Sequence, residues 1–184
     1  GLGDVYKRQP LTVLNLSGNR IKEFTNEDME GEKVYMMTSF DLSNNRLKKL
    51  PDDLNGTKMP HLYGIDVSGN QLSAFPWGLA NIAYLNTLII RNQRDDDGNR
   101  VYKEWPTSIG NHKGLRALLL GGNDIGKVPE SETLSYLINT LDVSDNPNLI
   151  LNVSSVCPYI KAGMYWLIYD TTQDIRGCDY LTLE

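Results

Sequence analysis

Apolar residues along this chain recur in one spacing: positions 1, 4, 6 and 11 of an eleven-residue window that also carries asparagine at position 9. The window reads LTVLNLSGNRI at 11–21, MTSFDLSNNRL at 37–47, LYGIDVSGNQL at 62–72 and LRALLLGGNDI at 115–125. A fifth copy at 138–149, INTLDVSDNPNL, has one extra residue after its asparagine, and LNTLIIRNQ at 85–93 supplies the copy missing between 72 and 115. A period of about 20–30 residues signals stacked structural units, so it takes precedence over any reading of single segments.

Each copy translates into a short strand. Alternating apolar residues such as Leu14 and Leu16, or Ile65 and Val67, point to one side and leave Asn15 or Asp66 on the other. The strands are expected to stack in parallel. The recurring Asn19, Asn45, Asn70, Asn123 and Asn146 are expected to turn inward as a ladder, satisfying loop backbone groups that would otherwise be buried unpaired. The other half of each repeat carries an apolar residue followed by proline: Leu50-Pro51, Phe75-Pro76, Trp105-Pro106 and Val128-Pro129. Proline fixes φ and offers no N–H, which suits an irregular return segment. Repeats of 23–26 residues leave room only for turns and single-turn helices there, with a short helix expected at 27–33.

After residue 149 the pattern loosens. Ser154 or Ser155 is placed to cap a helix running to about Ala162, with Gly163 as its stop. Met164, Leu167 and Tyr169 then imitate the repeat spacing, which predicts a degenerate seventh strand, and residues 170–179 are expected to fold back over the end of the core. Cys157 and Cys178 are compatible with one disulfide or with two free thiols. The bridge is favoured, because closing such a loop contributes about 3 kcal/mol where a stacked array must hide its last apolar face. It would place the protein in an oxidising compartment: periplasm, cell surface or outside. Residues 1–10 fit no repeat position and read as an extraneous or incomplete N-terminal flank. Without a cap before Leu11, the first repeat is expected to continue upstream or to associate end to end.

The six windows and their apolar–proline steps resemble the leucine-rich-repeat family, in the LPxxL-type variant of many bacterial and signalling members. The run YDTTQDIRGCD at 169–179 is similar to the C-terminal ends of secreted gut-bacterial repeat proteins. The resemblance implies an α/β fold: a right-handed solenoid with a concave parallel sheet of about six to seven short strands and a mostly irregular or 3-10 convex side. The solenoid would span 11–149, with an insertion in the fourth repeat at 93–104 and a C-terminal capping segment at 150–184. It further implies a module that binds another macromolecule, usually a protein, on the concave face.

Composition narrows this. Of 184 residues 40% are hydrophobic and 22% charged, as in soluble globular proteins. A net charge of −5 argues against a nucleic-acid partner, which needs a basic surface. No apolar run reaches the roughly 18 residues of a membrane span, and the start does not look like a signal peptide. His61 and His112 sit in loops without acidic or cysteine partners at metal spacing and read as surface residues. No nucleophile elbow or phosphate loop is present, so neither catalysis nor a cofactor is expected.

The insertion QRDDDGNRVYKE at 93–104 nearly matches a calcium loop, with Asp95, Asp97, Gly98 and Glu104 in place but Gln93 where the first aspartate belongs. Arg94 and Arg100 oppose a cation, which favours a charged hairpin. Such a projecting loop is also placed to contact a partner.

The outward strand residues form the expected binding surface. Its central row is Asn15, Asp41, Asp66, Ile89, Leu119 and Asp142. Thr12, Thr38, Tyr63, Asn86, Arg116 and Asn139 flank it on one side, and Ser17, Ser43, Ser68, Arg91, Gly121 and Ser144 on the other. The ends are polar, whereas the middle gathers Ile89 and Leu119 with Arg91, Arg116 and Tyr63, a composition that suits a protein-binding patch. The Ser and Asp columns read as solvated scaffold. A carbohydrate-binding or adhesive face using these polar columns and Tyr63 is an alternative, as is a regulatory repeat region of a larger protein. Glycosylation tripeptides occur at Asn15, Asn55 and Asn152, the first inside a predicted strand.

Overall fold

Each eleven-residue window becomes a three-residue strand in the computed structural model, which describes residues 11–29, 34–51, 54–107, 109 and 112–182. In chain order these are β1 (Val13–Asn15), β2 (Ser39–Asp41), β3 (Gly64–Asp66), β4 (Thr87–Ile89), β5 (Ala117–Leu119) and β6 (Thr140–Asp142). The last segment adds β7 (Ile150–Asn152), helix α1 (Cys157–Lys161), β8 (Trp166–Ile168) and β9 (Asp174–Arg176). Seven strands form one parallel sheet in the order β1-β2-β3-β4-β5-β6-β8, and β7 pairs with β9 in a second, two-stranded sheet.

The register puts like residues side by side: Leu14, Phe40, Ile65, Leu88, Leu118, Leu141 and Leu167 align as one inward row. From Phe40 to Leu141 this row is buried, and with Leu42, Val67, Ile90, Leu120 and Val143 it forms the spine of a continuous core. Leu14 and Leu167, at the two ends, are only partly covered.

Two devices turn the chain out of each strand. The residue before each ladder position has positive φ: Gly18 (70°), Asn44 (55°), Gly69 (63°), Asn92 (54°), Gly122 (76°) and Asp145 (51°). Only glycine and the short polar residues adopt that conformation readily, which explains the G/N/D alternation in the windows. The ladder residue then ties adjacent turns together. Asn123 donates to Ile90 O at 2.6 Å and Leu120 O at 2.8 Å, and its Oδ1 accepts from Gln93 N at 2.9 Å. Asn45, Asn70 and Asn146 make the equivalent sets, while Asn19 is exposed and donates to Leu16 O at 2.8 Å.

Two glutamines extend this ladder. Gln93, fully buried, donates to Val67 O at 2.8 Å and accepts from Leu72 N at 2.9 Å. Gln173 donates to Val143 O at 2.7 Å and accepts from Asp170 N at 2.8 Å, doing for β8 what asparagine does elsewhere.

The return segments are built on the apolar–proline steps. The carbonyls of Pro51, Pro76, Pro106 and Pro129 each accept the N–H three residues on, at 3.0–3.1 Å. The apolar residue before each proline is buried. These turns stay short, as in the 3-10 helix Trp77–Asn81.

The terminal segment differs from expectation in detail. Helix α1 starts later, with Val156 as its N-cap and no side-chain cap. Ser154 and Ser155 are engaged elsewhere, with Asn152 Oδ1 at 2.6 Å and Leu134 O at 3.1 Å. Gly163, with φ of 71°, ends the helical turn. Cys157 and Cys178 form a disulfide with Cα atoms 5.4 Å apart, tying α1 to the segment after β9. Near the other end, the helix expected at 27–33 is reduced to a 3-10 turn at Glu27–Met29, and residues 30–33 lie outside the described residues. Among the described residues no helix is long and apolar enough to cross a membrane.

Candidate interaction surface

In most copies the outward face of the strand is engaged in local hydrogen bonding. The sequence Asp-x-Ser or Asn-x-Ser closes a small turn: Asp66 Oδ1 accepts from Ser68 N at 2.8 Å and from its hydroxyl at 2.6 Å. Asn15 with Ser17, Asp41 with Ser43, Asp142 with Ser144 and, on β7, Asn152 with Ser154 repeat the backbone half of this contact at 2.9 Å. The aspartate and serine columns are therefore structural, and two of the three glycosylation tripeptides are instances of this strand-end turn. In the third, Asn55 Oδ1 accepts from Thr57 N at 2.9 Å.

Strands β4 and β5 depart from this pattern together. Ile89 and Leu119 stand where the aspartate would be, paired side by side in register and half-buried. Arg91 and Gly121 replace the serines. The missing side chain at 121 opens a path across β5: Arg91 reaches over it to ion-pair with the carboxylate of Asp142, which is 1% exposed. A Cβ on Gly121 would lie 2.9 Å from Ser144 Oγ and 3.0 Å from Asp142 Oδ2. Arg91 is thus a strap across three strands as well as a surface cation, and it flanks the aliphatic pair.

The flanking row is corrected by one residue. The strands' other outward positions are Val13, Ser39, Gly64, Thr87, Ala117, Thr140 and Trp166, not the Thr12-to-Asn139 row, which precedes the strands. This shift separates the expected patch. Arg116 donates to Lys113 O at 2.9 Å and Leu115 O at 3.0 Å, held to the loop before β5 and about 10 Å along the strand from Leu119. Tyr63 sits at the corresponding end of β3, in a groove with Met36, His61 and Tyr84 rather than beside Ile89.

The same shift reveals residues that sequence reasoning missed. Trp166 and Ile168 are the outward residues of β8, 69% and 41% exposed, and Met164 just before them is 60% exposed. Ile168 lies in the row of Ile89 and Leu119, two strands or about 10 Å beyond Leu119. The signal was present once Leu167 was taken as the inward residue of a seventh strand, since its neighbours must then face outward.

The other candidates are placed differently from expectation. His112 is buried, not a surface residue: Nε2 contacts Ile82 O at 2.9 Å, and Nδ1 accepts from Leu115 N at 3.0 Å and Gly114 N at 3.2 Å. Burial holds its pKa below the ordinary 6.5, so the neutral ring is the form that the fold uses. His61 is exposed and meets Tyr35 edge-on at 5.5 Å.

In the insertion, the residues of the calcium-loop near-match serve the fold instead. Gln93 is a rung of the ladder, and Asp95 is occupied by its own loop, accepting from Asn99 N at 2.8 Å, Asn99 Nδ2 at 3.0 Å and Asp97 N at 3.0 Å. Bonding to Asn99 holds the Asp95 carboxyl below its usual range. Asp95, Asp97 and Glu104 are not gathered into a site, and among the described residues no three acidic, His or Cys groups are. The loop is a hairpin, bridged at Arg94 and Arg100 and clamped to the next repeats through Arg100 to Asn123 O at 2.7 Å and to Asp145.

A stacked parallel sheet with an asparagine ladder, irregular returns and an open outward face defines a leucine-rich-repeat solenoid. The family described as Leucine Rich Repeat matches residues 10–31 and 36–57, and the chain belongs to the leucine-rich-repeat family. It is similar over 95% of its length to a leucine-rich repeat protein from Bacteroides thetaiotaomicron VPI-5482, at 43% identity and a TM-score of 0.91. A second such protein, from Bacteroides eggerthii DSM 20697, is 47% identical with a TM-score of 0.84, again over 95% of this chain. Tsukushi of Gallus gallus is 29% identical over 79% of the chain. The chain spans only 21%, 29% and 38% of these three proteins, respectively.

Proposed function

We propose that this chain is the interaction region of a secreted, surface-attached or periplasmic protein, and that it holds a protein ligand on the C-terminal half of its concave sheet. The contact centres on Ile89 and Leu119, extends to Trp166 and Ile168, and is bordered by Arg91. One observation carries this reading: β4, β5 and β8 abandon the self-contained Asp-x-Ser turn and present aliphatic or aromatic side chains instead. Exposed apolar residues next to Trp and Arg are what protein-binding hot spots are made of. Tyr63 and Arg116 stand apart from that centre.

The disulfide supports an oxidising compartment. The family is one of binding scaffolds, and both nitrogens of the buried His112 already serve the fold, which supports a non-catalytic role.

The test uses the disulfide-intact protein, immobilised and exposed to bacterial and host surface extracts. Wild type is compared with Ile89→Asp/Leu119→Asp and with Trp166→Ala. Capture of a protein by wild type, lost in the double variant and weakened about tenfold in Trp166→Ala, is the expected result. Equal capture by all three would overturn the reading.

A further inference from the structure

A separate groove lies at the other end of the sheet, on the side where the chain enters the strands. Its volume is about 660 Å³, and Met36, Tyr63, Tyr84 and the imidazole of His61 line it. Tyr63 and Tyr84 are 56% and 66% exposed, so both rings are open to a ligand. The floor is Gly64, with Thr38 and Ser39 beside it.

Gly64 is not explained by the fold. Its φ is not positive, and a Cβ there would meet only Thr87 Cβ, at 4.0 Å. Neither backbone conformation nor packing excludes a side chain, and glycine inside a strand weakens it. The equivalent positions hold Val13, Ser39, Thr87, Ala117, Thr140 and Trp166. The glycine leaves this part of the groove's lining without a side chain, which suits a strand position where a ligand approaches closely.

The lining also selects the chemistry. Although 22% of the chain is charged, no Asp, Glu, Lys or Arg is among the described residues lining this groove. Charge complementarity therefore calls for an uncharged ligand. The polar groups offered by the side chains are mostly hydroxyls, which both donate and accept. The strand backbone at Tyr63 and Gly64 is already paired: Tyr63 N and Gly64 N donate to Thr38 O at 2.8 and 3.1 Å, and Tyr63 O accepts from Asn86 N and Thr87 N at 2.8 and 3.1 Å. A peptide cannot add a strand here.

We propose that this groove is a binding subsite for a neutral saccharide, an uncharged pyranose laid against Tyr63 and Tyr84 over Gly64. The negative face of an aromatic ring attracts the C–H face of such a sugar, and the sugar's hydroxyls match those at the groove's margin. The site is independent of the patch around Ile89 and Leu119.

The test is saturation-transfer NMR and calorimetry on the whole chain with three neutral hexasaccharides, a β-1,4-glucan, an α-1,4-glucan and an α-1,6-mannan, and with a decaproline peptide. Saturable binding of at least one hexasaccharide, insensitive to high salt, is expected. Tyr63→Ala and Tyr84→Ala should each weaken it about tenfold, Tyr63→Phe should retain it, and Ile89→Asp/Leu119→Asp should leave it unchanged. Gly64→Val is the decisive variant: it should fold at least as stably as wild type and lose binding. The proposal fails if no hexasaccharide saturates, if decaproline binds in their place, or if Gly64→Val binds as well as wild type.

Discussion

Strands β3 and β4 are neighbours that share an inward row, yet their outward faces are built on different plans. On β3, Asp66 spends its carboxylate on Ser68, so the outward polar group belongs to the scaffold. On β4, Ile89 makes no such bond, and Arg91 crosses Gly121 to Asp142 on β6. The first plan stabilises each repeat by itself. The second leaves an apolar side chain outside and makes one repeat depend on a repeat two strands away. The comparison teaches that in a solenoid the informative repeats are those that stop using the local turn, because only their outward side chains are released for something else.

The sharpest way to break this contrast is at Asp142, where both plans meet. Asp142→Ala removes the partner of Arg91 and of Ser144 at once, and should cost about 3 kcal/mol in urea unfolding. If the cost is no larger than at Asp66, Arg91 is not a strap. His112 comes next, as the tie between the β4 and β5 repeats. His112→Gln should cost about 2 kcal/mol at pH 7.5 by leaving Ile82 O and Leu115 N without their partner.

The sign of the pH effect follows from the lowered pKa of His112. The folded ring is neutral while the unfolded one protonates near 6.5, so its contribution is full above that pH and declines as pH falls below it. Urea midpoints between pH 7.5 and 5 should fall for wild type and stay flatter for His112→Gln. A parallel slope in the two proteins would assign the tie elsewhere.

Asp66→Ala tests the local plan alone and should cost about 1 kcal/mol, measured in the same titration. The smallest effect is expected from Ile89→Asp/Leu119→Asp, whose side chains already face outward: less than about 1 kcal/mol in stability, with the effect appearing only in ligand capture. A loss of several kcal/mol would mean that the aliphatic pair serves the fold and not a partner.

Much of this was legible because the repeat makes one residue's role visible in its counterparts. The inward leucines, the five ladder asparagines and the proline steps each recur at fixed offsets, and a period-2 strand assigns the facing of Ile89 and Leu119 without coordinates. Trp166 and Ile168 were hidden because β8 lacks the ladder asparagine, whose place Gln173 takes from five residues further on than Ile168. The ladder role of Gln93 was hidden for a related reason, since a glutamine doing an asparagine's work sits where a calcium loop would begin.

The sequence by itself determined the class of fold and the inward row of the six repeat strands, because both depend on local periodicity. The tertiary structure alone decided which outward residues are neighbours. Register across strands sets that, together with contacts spanning two repeats: Arg91 over Gly121 to Asp142, His112 back to Ile82, and Tyr63 beside Met36 and Tyr84 instead of Ile89. Such contacts join residues as far as 51 positions apart, and no spacing along one chain encodes which side chain bends toward which.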